Sequence, residues 1–277
     1  MSNNTNAIKT YIIDSFTNET FKGNPAAVCI LNYEISDDLM LSIAKEFNLS
    51  ETAFVKKLES DNAYSIRFFS PKTEIPLCGH ATLASAKVLF DKNMDMNQIN
   101  FINIQKLDLK IVRDGEMIVM EFPVYETLPK DAPKELLNAL GINESILLNS
   151  EYNDETKILL LEINDSQILN DLKPDFEALY KSHNSINGVL VTAKSNKNDF
   201  DFESRYFWPW NGSNEDPVTG ATHTFLAKYW SKKLNKNKMK SFQCSERTGF
   251  MEVELTTKNT LIIKSTAKLV LEGTLKI

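Results

Sequence analysis

The sequence predicts an α+β protein of two similar domains, and three observations carry that prediction. One corner motif occurs twice, each half alternates many short strands with one or two helices, and a proline-marked break falls near the middle. The first copy of the motif reads Arg67-Phe68-Phe69-Ser70-Pro71, a short gap, then Glu74-Ile75-Pro76-Leu77-Cys78-Gly79-His80-Ala81-Thr82. The second reads Arg205-Tyr206-Phe207-Trp208-Pro209, a longer gap, then Glu215-Asp216-Pro217-Val218-Thr219-Gly220-Ala221-Thr222-His223. The chain is 277 residues long, so the copies lie about half a chain apart. A repeat of that size means two domains, because solenoid units are far shorter. Two such domains are expected to leave a cleft faced by both corners. The boundary is drawn after Pro123, giving domains 7–125 and 126–277, with the last strand free to return to the first domain.

Along the first half, Tyr11–Phe16 opens as a strand, Gly23-Asn24-Pro25 marks a turn and Ala26–Leu31 is a second strand. Ser36 is a fitting N-cap for a helix to about Asn48, with Leu39, Met40, Ile43, Ala44 and Phe47 on one face. Thr52–Leu58 and Ala63–Phe69 alternate as strands, and Thr82–Phe90 has helical periodicity. Ile99–Ile104, Leu107–Arg113 and Met117–Phe122 form a meander with Asp114-Gly115 as hairpin turn. In the second half, helices are expected near Lys134–Leu140, Asp175–Ser182 and Ala221–Lys233. Strands are expected at Ile158–Ile163, Gly188–Ala193, Phe202–Phe207, Ser241–Cys244, Phe250–Leu255, Leu261–Lys264 and Leu269–Leu275. The pattern reads as largely antiparallel and not as βαβ winding.

Composition excludes several functions. The net charge is −6 with both signs interspersed, so no nucleic-acid surface is indicated, and the Lys232–Lys240 run reads as a solvated helix end. No apolar stretch reaches the ~18 residues of a membrane span. The polar start Met1-Ser2-Asn3-Asn4-Thr5-Asn6 has no signal-peptide core. Three dispersed cysteines, Cys29, Cys78 and Cys244, suit neither a disulfide framework nor a zinc site. A cytoplasmic protein with free thiols and no clustered metal ligands is expected.

Glu51 follows a helix end and opens an apolar strand. It is either an exposed strand start or a carboxylate whose desolvation raises its pKa into the range of a general acid or base. His80 follows Gly79 at a helix start, where it is either structural or a proton shuttle. Of the three histidines, His80 and His223 fall in the repeated corners; His183 reads as a surface residue, and His223 as structural or supporting. Asp216 either caps the following turn or orients a reacting group. Both Gly-opened helix starts offer free N–H groups to a carboxylate.

At these residues the chain resembles the PhzF family, named for phenazine biosynthesis, within the diaminopimelate-epimerase-like fold. The matching blocks are Asp14-Ser15-Phe16 with Gly23-Asn24-Pro25-Ala26-Ala27-Val28, Ser50-Glu51-Thr52-Ala53-Phe54, the two corner motifs from Glu74 and from Glu215, and a weaker Gln243-Cys244-Ser245-Glu246-Arg247-Thr248-Gly249. The resemblance implies two pseudo-symmetric domains, each a mixed, largely antiparallel sheet rolled around a central helix, with the active site between them. It implies a homodimeric isomerase without metal or organic cofactor, shifting a proton within a small carboxylate-bearing substrate, cyclic in the founding member. Glu51 falls on the proton-shuttling Glu, His80 on the active-site His and Asp216 on the active-site Asp. Gly79 and Gly220 fall on glycines lining the substrate pocket, and Ser50 and Ala221 stand beside them as substrate-binding positions. Ala221 departs from the family's usual Ser, Cys244 stands where Gly is common, and Ser265 and Thr266 replace Gly near the C-terminus, so the founding substrate does not carry over.

Two rivals stay open. A two-thiol racemase of the same fold needs a second cysteine where Thr219 stands, leaving Cys78 as a small buried wall residue. A non-catalytic small-molecule-binding protein would not need Glu51, His80 and Asp216 together.

Overall fold

A computed structural model describes residues 7–277. The described chain holds 18 strands and six α-helices and divides into two compact units, one comprising the chain up to Glu121 together with Lys264–Ile277, the other Phe122–Ile263. The sequence reading draws its boundary four residues later and leaves the last strand free to return to the first domain, where the structure has it.

In the first unit, β1 (Ala7–Ser15) pairs antiparallel with β2 (Asn24–Leu31). Their turn depends on Gly23, whose φ is +67° and where a Cβ would lie 2.1 Å from the Ser15 carbonyl oxygen, so no side chain fits there. Helix α1 (Asp37–Phe47) starts at Ser36, whose hydroxyl accepts from the Leu39 N–H, and buries Met40, Ile43 and Ala44. It crosses over to β3 (Glu51–Lys57), which lies parallel to β2. Next come β4 (Ala63–Phe69), antiparallel to β3, and the short β5 (Glu74–Ile75). Helix α2 (Gly79–Lys92) is buried from His80 through Ala86 and packs on β1, β2 and β3. Past it, β6 (Gln98–Ile102) runs parallel to β4, and β7 (Asp108–Asp114) and β8 (Met117–Pro123) close a hairpin.

The second unit repeats this order. After β9 (Leu128–Pro129) and α3 (Lys134–Leu140), β10 (Leu147–Asn153) pairs antiparallel with β11 (Ile158–Ile163). Two short helices, α4 (Ser166–Asp171) and α5 (Phe176–Lys181), cross to β12 (Gly188–Lys194), parallel to β11. Then follow β13 (Phe202–Phe207), antiparallel to β12, and β14 (Glu215–Asp216). Helix α6 (His223–Leu234) leads to β15 (Lys238–Gln243), parallel to β13, and on to β16 (Gly249–Leu255) and β17 (Thr260–Ser265). Trp230 of α6 stacks on Phe202 at 5.6 Å between ring centroids and donates to the Thr192 hydroxyl. On another face, Leu136 and Leu140 of α3 and Leu169 and Leu179 of α4 and α5 join Leu159, Leu161, Val189 and Val191 in one core. Finally β18 (Ala267–Lys276) runs antiparallel to β1 from Ala7 against Lys276 to Ser15 against Ala267.

The strands are not free of βαβ winding: β2–β3, β4–β6, β11–β12 and β13–β15 are parallel, each pair bridged by helix. The strands β3, β11 and β12 are buried almost throughout, as parallel strands covered on both faces are. Their apolar runs therefore lack the alternation that reveals pairing direction. The sequence reading also passed over β10 and α4, whose residues are largely polar. Among the described residues no helix is long and apolar enough to cross a membrane.

Candidate active site

The two corners are built alike. In the first, the Arg67 guanidinium holds Glu74 through two hydrogen bonds of 2.7 Å and lies over the Phe69 ring. In the second, Arg205 holds Glu215 through two bonds of 2.8 Å and lies over Phe207. Such forked pairs fix geometry as well as charge. Each staples a two-residue strand to the strand before the loop and so aims the following Pro-X-X-Gly turn. Thr82 Oγ1 donates to the Cys78 carbonyl at 2.7 Å, and His223 Nδ1 lies 3.0 Å from the matching Thr219 carbonyl.

In the first unit the fold brings Glu51, Cys78 and His80 together. Glu51 is the first residue of β3, placed there because the Asn48 turn (φ 50°) ends α1 just before it. Cys78 is the N-cap of α2 and offers the helix start no side-chain cap. His80 Nε2 lies 3.1 Å from a Glu51 carboxylate oxygen. Ser50 Oγ lies 3.4 Å from the same nitrogen, and Cys78 Sγ 3.4 Å from His80 Nδ1. Ser15 holds the His80 carbonyl at 2.8 Å. All three titratable side chains are buried, and one ligand atom from each falls within 4.8 Å of the others. The expectation of no clustered metal-ligand types is thereby corrected: 26 residues lie between Glu51 and Cys78, and only the fold joins them.

The electrostatics correct a second expectation. Burial pushes the Glu51 carboxyl up, but hydrogen bonds from His80, Ser50 and Cys78 outweigh it and hold it below the ordinary carboxylate range. Burial pulls the His80 imidazole down, while Cys78 and Glu51 pull it up further, and it ends well above its usual value. The Cys78 thiol is raised, chiefly by burial, with the His80 charge pulling the other way. The resting site is therefore a carboxylate–imidazolium pair. Glu51 is an ionised carboxylate, not a carboxylic acid raised by desolvation.

In the second unit Asp216, Gly220 and Ala221 share one loop. Asp216 is buried and accepts the Thr219 hydroxyl at 2.5 Å. Gln243 staples the loop, donating to the Asp216 carbonyl at 2.7 Å and accepting from the Thr219 N–H at 2.9 Å; Ser245 donates to the Pro217 carbonyl. Sequence reasoning had given Gln243 and Ser245 no role, although they stand in the weaker matching block. Helix α6 begins at His223 and not at Ala221, because residues 220–222 form turns closed by the Gly220 and Ala221 carbonyls. Gly220 is buried, Gly79 partly buried and Ala221 exposed.

The strand registers expose an asymmetry. Thr52 faces Phe69 and Val189 faces Phe207, so the position matching Glu51 is Gly188. A Cβ there would lie 2.5–2.7 Å from the Tyr206 ring and hydroxyl. Where the first unit carries its carboxylate, the second carries a phenol packed over bare backbone. Thr219 likewise stands where Cys78 does, so the paired thiols of a two-cysteine racemase are not present.

Over residues 13–273 the sequence matches the family described as Phenazine biosynthesis-like protein, PhzC-PhzF. The chain belongs to that family. It is 42% identical to phenazine biosynthesis-like domain-containing protein 2 of Mus musculus, over 96% of this chain and 98% of that protein. It is 40% identical to an uncharacterized isomerase of Pseudomonas aeruginosa, over 95% and 96% of the two chains. A crystal structure of a PhzF-family protein from Enterococcus faecalis superposes with a TM-score of 0.90 at 36% identity, covering 98% of this chain and all of that one. A probable proline racemase from Agrobacterium radiobacter shares the fold alone, with a TM-score of 0.60 at 10% identity over 98% and 92% of the two chains. The fold is thus of the isomerase and epimerase type.

Proposed function

We propose that this protein is an isomerase that moves a proton within a small carboxylate-bearing substrate, with Glu51 as the general acid and base. The observation that carries the reading is the buried Glu51–His80 pair at 3.1 Å, set at the uncapped start of α2. The ionised Glu51 takes a proton from a carbon made acidic by conjugation, and the bond's electron pair moves into the substrate's π-system. The protonated Glu51 then returns that proton to another carbon, which shifts the double bond and restores the carboxylate. His80 keeps Glu51 ionised and oriented, and its positive charge with the N–H groups of the helix start attracts the substrate's carboxylate. The proposal assigns Asp216 to the same reaction, on the strength of the repeated corner that carries it.

The test is solvent exchange. A pool of small cyclic and unsaturated carboxylic acids is incubated with the protein in D₂O and read by mass spectrometry. Deuterium entering a carbon position in the presence of the wild type, and not of Glu51→Gln, supports the reading. Exchange that continues at full rate in Glu51→Gln overturns it. Tight binding of an acid with no exchange favours a non-catalytic binding protein.

A further inference from the structure

The site presents three different donor atoms to one point, a thiol sulfur, an imidazole nitrogen and a carboxylate oxygen, all buried and all within 4.8 Å of one another. Glu51 Oε2 lies 3.1 Å from His80 Nε2, and Cys78 Sγ lies 3.9 Å from the same nitrogen. Around a tetrahedral zinc ion, with bonds of about 2.0–2.3 Å, donor atoms stand roughly 3.3–3.6 Å apart. Two of the three separations therefore lie within a few tenths of an ångström of that spacing, and the Glu51–Cys78 separation is at most 4.8 Å, to be closed by side-chain movement. Three protein ligands also leave the fourth position open, as in metal sites that admit water or substrate. The sulfur favours thiophilic ions over Mg²⁺ or Ca²⁺. Among the described residues no other trio of His, Cys, Asp or Glu comes this close. Cys29 has Thr10 as its side-chain neighbour, and Cys244 faces the Ser204 carbonyl.

We propose that Glu51, Cys78 and His80 form a binding site for a thiophilic divalent cation, Zn²⁺ in the first instance, and that the ion inhibits the enzyme. The inhibitory half rests on the reading of Glu51 as the proton carrier: a carboxylate oxygen committed to a metal cannot take a proton from carbon. Binding replaces the thiol proton of Cys78 and one ring proton of His80, both released to solvent, and leaves sulfur, nitrogen and oxygen on the ion. Cys78 thereby gains a function the proton shift does not require of it.

Cobalt is the probe, because thiolate-bound Co²⁺ absorbs in the near ultraviolet without any substrate. Chelator-washed protein titrated with Co²⁺ is expected to develop that band and saturate at one equivalent, with Zn²⁺ displacing it and Mg²⁺ not. Cys78→Ser, with Cys78→Ala as a second variant should serine disturb the helix start, is expected to abolish the band. Cys29→Ser and Cys244→Ser are expected to keep it, and Glu51→Gln to weaken the metal roughly tenfold or more. A band that survives in both Cys78 variants, or an affinity unchanged in Glu51→Gln, overturns the site. Exchange that continues at full rate in zinc-saturated protein overturns the inhibition. A cobalt band in a protein with no Glu51-dependent exchange would overturn the isomerase reading, and inhibition with it, while upholding the metal site.

Discussion

In the first unit a forked Arg–Glu pair sets a helix start whose histidine, His80, is held as a cation against a carboxylate. In the second, the same pair sets a helix start whose histidine, His223, is pushed down to about 4 by burial and stays neutral. His223 spends both ring nitrogens inside the fold, on the Thr219 carbonyl and on Ser241 at 2.9 Å. The second corner thus uses its histidine as a strut, the first as a charge. Two positions separate them: Glu51 at the start of β3 stands against Gly188 at the start of β12, and His80 stands against Ala221, with His223 two residues further on where the first corner has Thr82. A duplicated scaffold can thus carry a charged histidine in one copy and a neutral, structural one in the other.

The largest effect should come from breaking the charged side. Glu51→Gln keeps shape and hydrogen-bonding reach but cannot carry a proton, so exchange is expected to fall about 10²- to 10⁴-fold with the denaturation midpoint little changed. The next concerns the shared Arg–Glu pairs. Arg205 is nearly buried and also donates to the carbonyls of Leu169, Asn170 and Leu172. Arg205→Met is expected to cost about 3–5 kcal/mol in urea unfolding. Arg67, whose further partner Asp37 is exposed, should cost about 1 kcal/mol when replaced by Met. Equal costs would show that the pairs do not differ as their burial suggests.

The histidines should separate with pH. His223 titrates lower in the folded protein than its ordinary 6.5, at about 4. Its contribution is therefore present above pH 6.5 and is lost as pH falls through about 4, amounting to about 3 kcal/mol. His80 is shifted upward, so its contribution is present below its unfolded value and is lost as pH rises through its folded one. Stability measured against pH should accordingly flatten on the acid side in His223→Gln and on the alkaline side in His80→Gln; the same profile in both would erase the distinction. The last effect is steric. Gly188→Ala drives a methyl into Tyr206 and is expected to cost about 1–3 kcal/mol, with Tyr206→Leu in the same chain recovering part of the loss.

The repeat made much of this legible. Arg67 with Glu74 and Arg205 with Glu215 stood out as matched residues, and the structure joins each pair by two hydrogen bonds. Ser36 began its helix as read, and the strands around Phe202–Phe207 fell where alternation put them. Parallel pairing was hidden because strands such as β11 are apolar on both faces. The Glu51–Cys78–His80 cluster was hidden because strand register, not spacing, brings Glu51 to the corner. Gly188 carried no local signal, since its meaning lies in a ring from the neighbouring strand. The sign of the Glu51 shift was misread because burial was visible in the sequence and its three hydrogen-bond partners were not.

The pairing of β18 with β1 has a consequence for biogenesis. The strand that covers the edge of β1 is made about 150 residues after the rest of its unit, or roughly 7–30 s later at ordinary ribosomal speeds. For that interval β1 waits with one side unclaimed, a template for any passing strand, while the second unit, contiguous in the chain, has all its pieces first. The half that carries Glu51 therefore closes its sheet only after the whole second unit has been made.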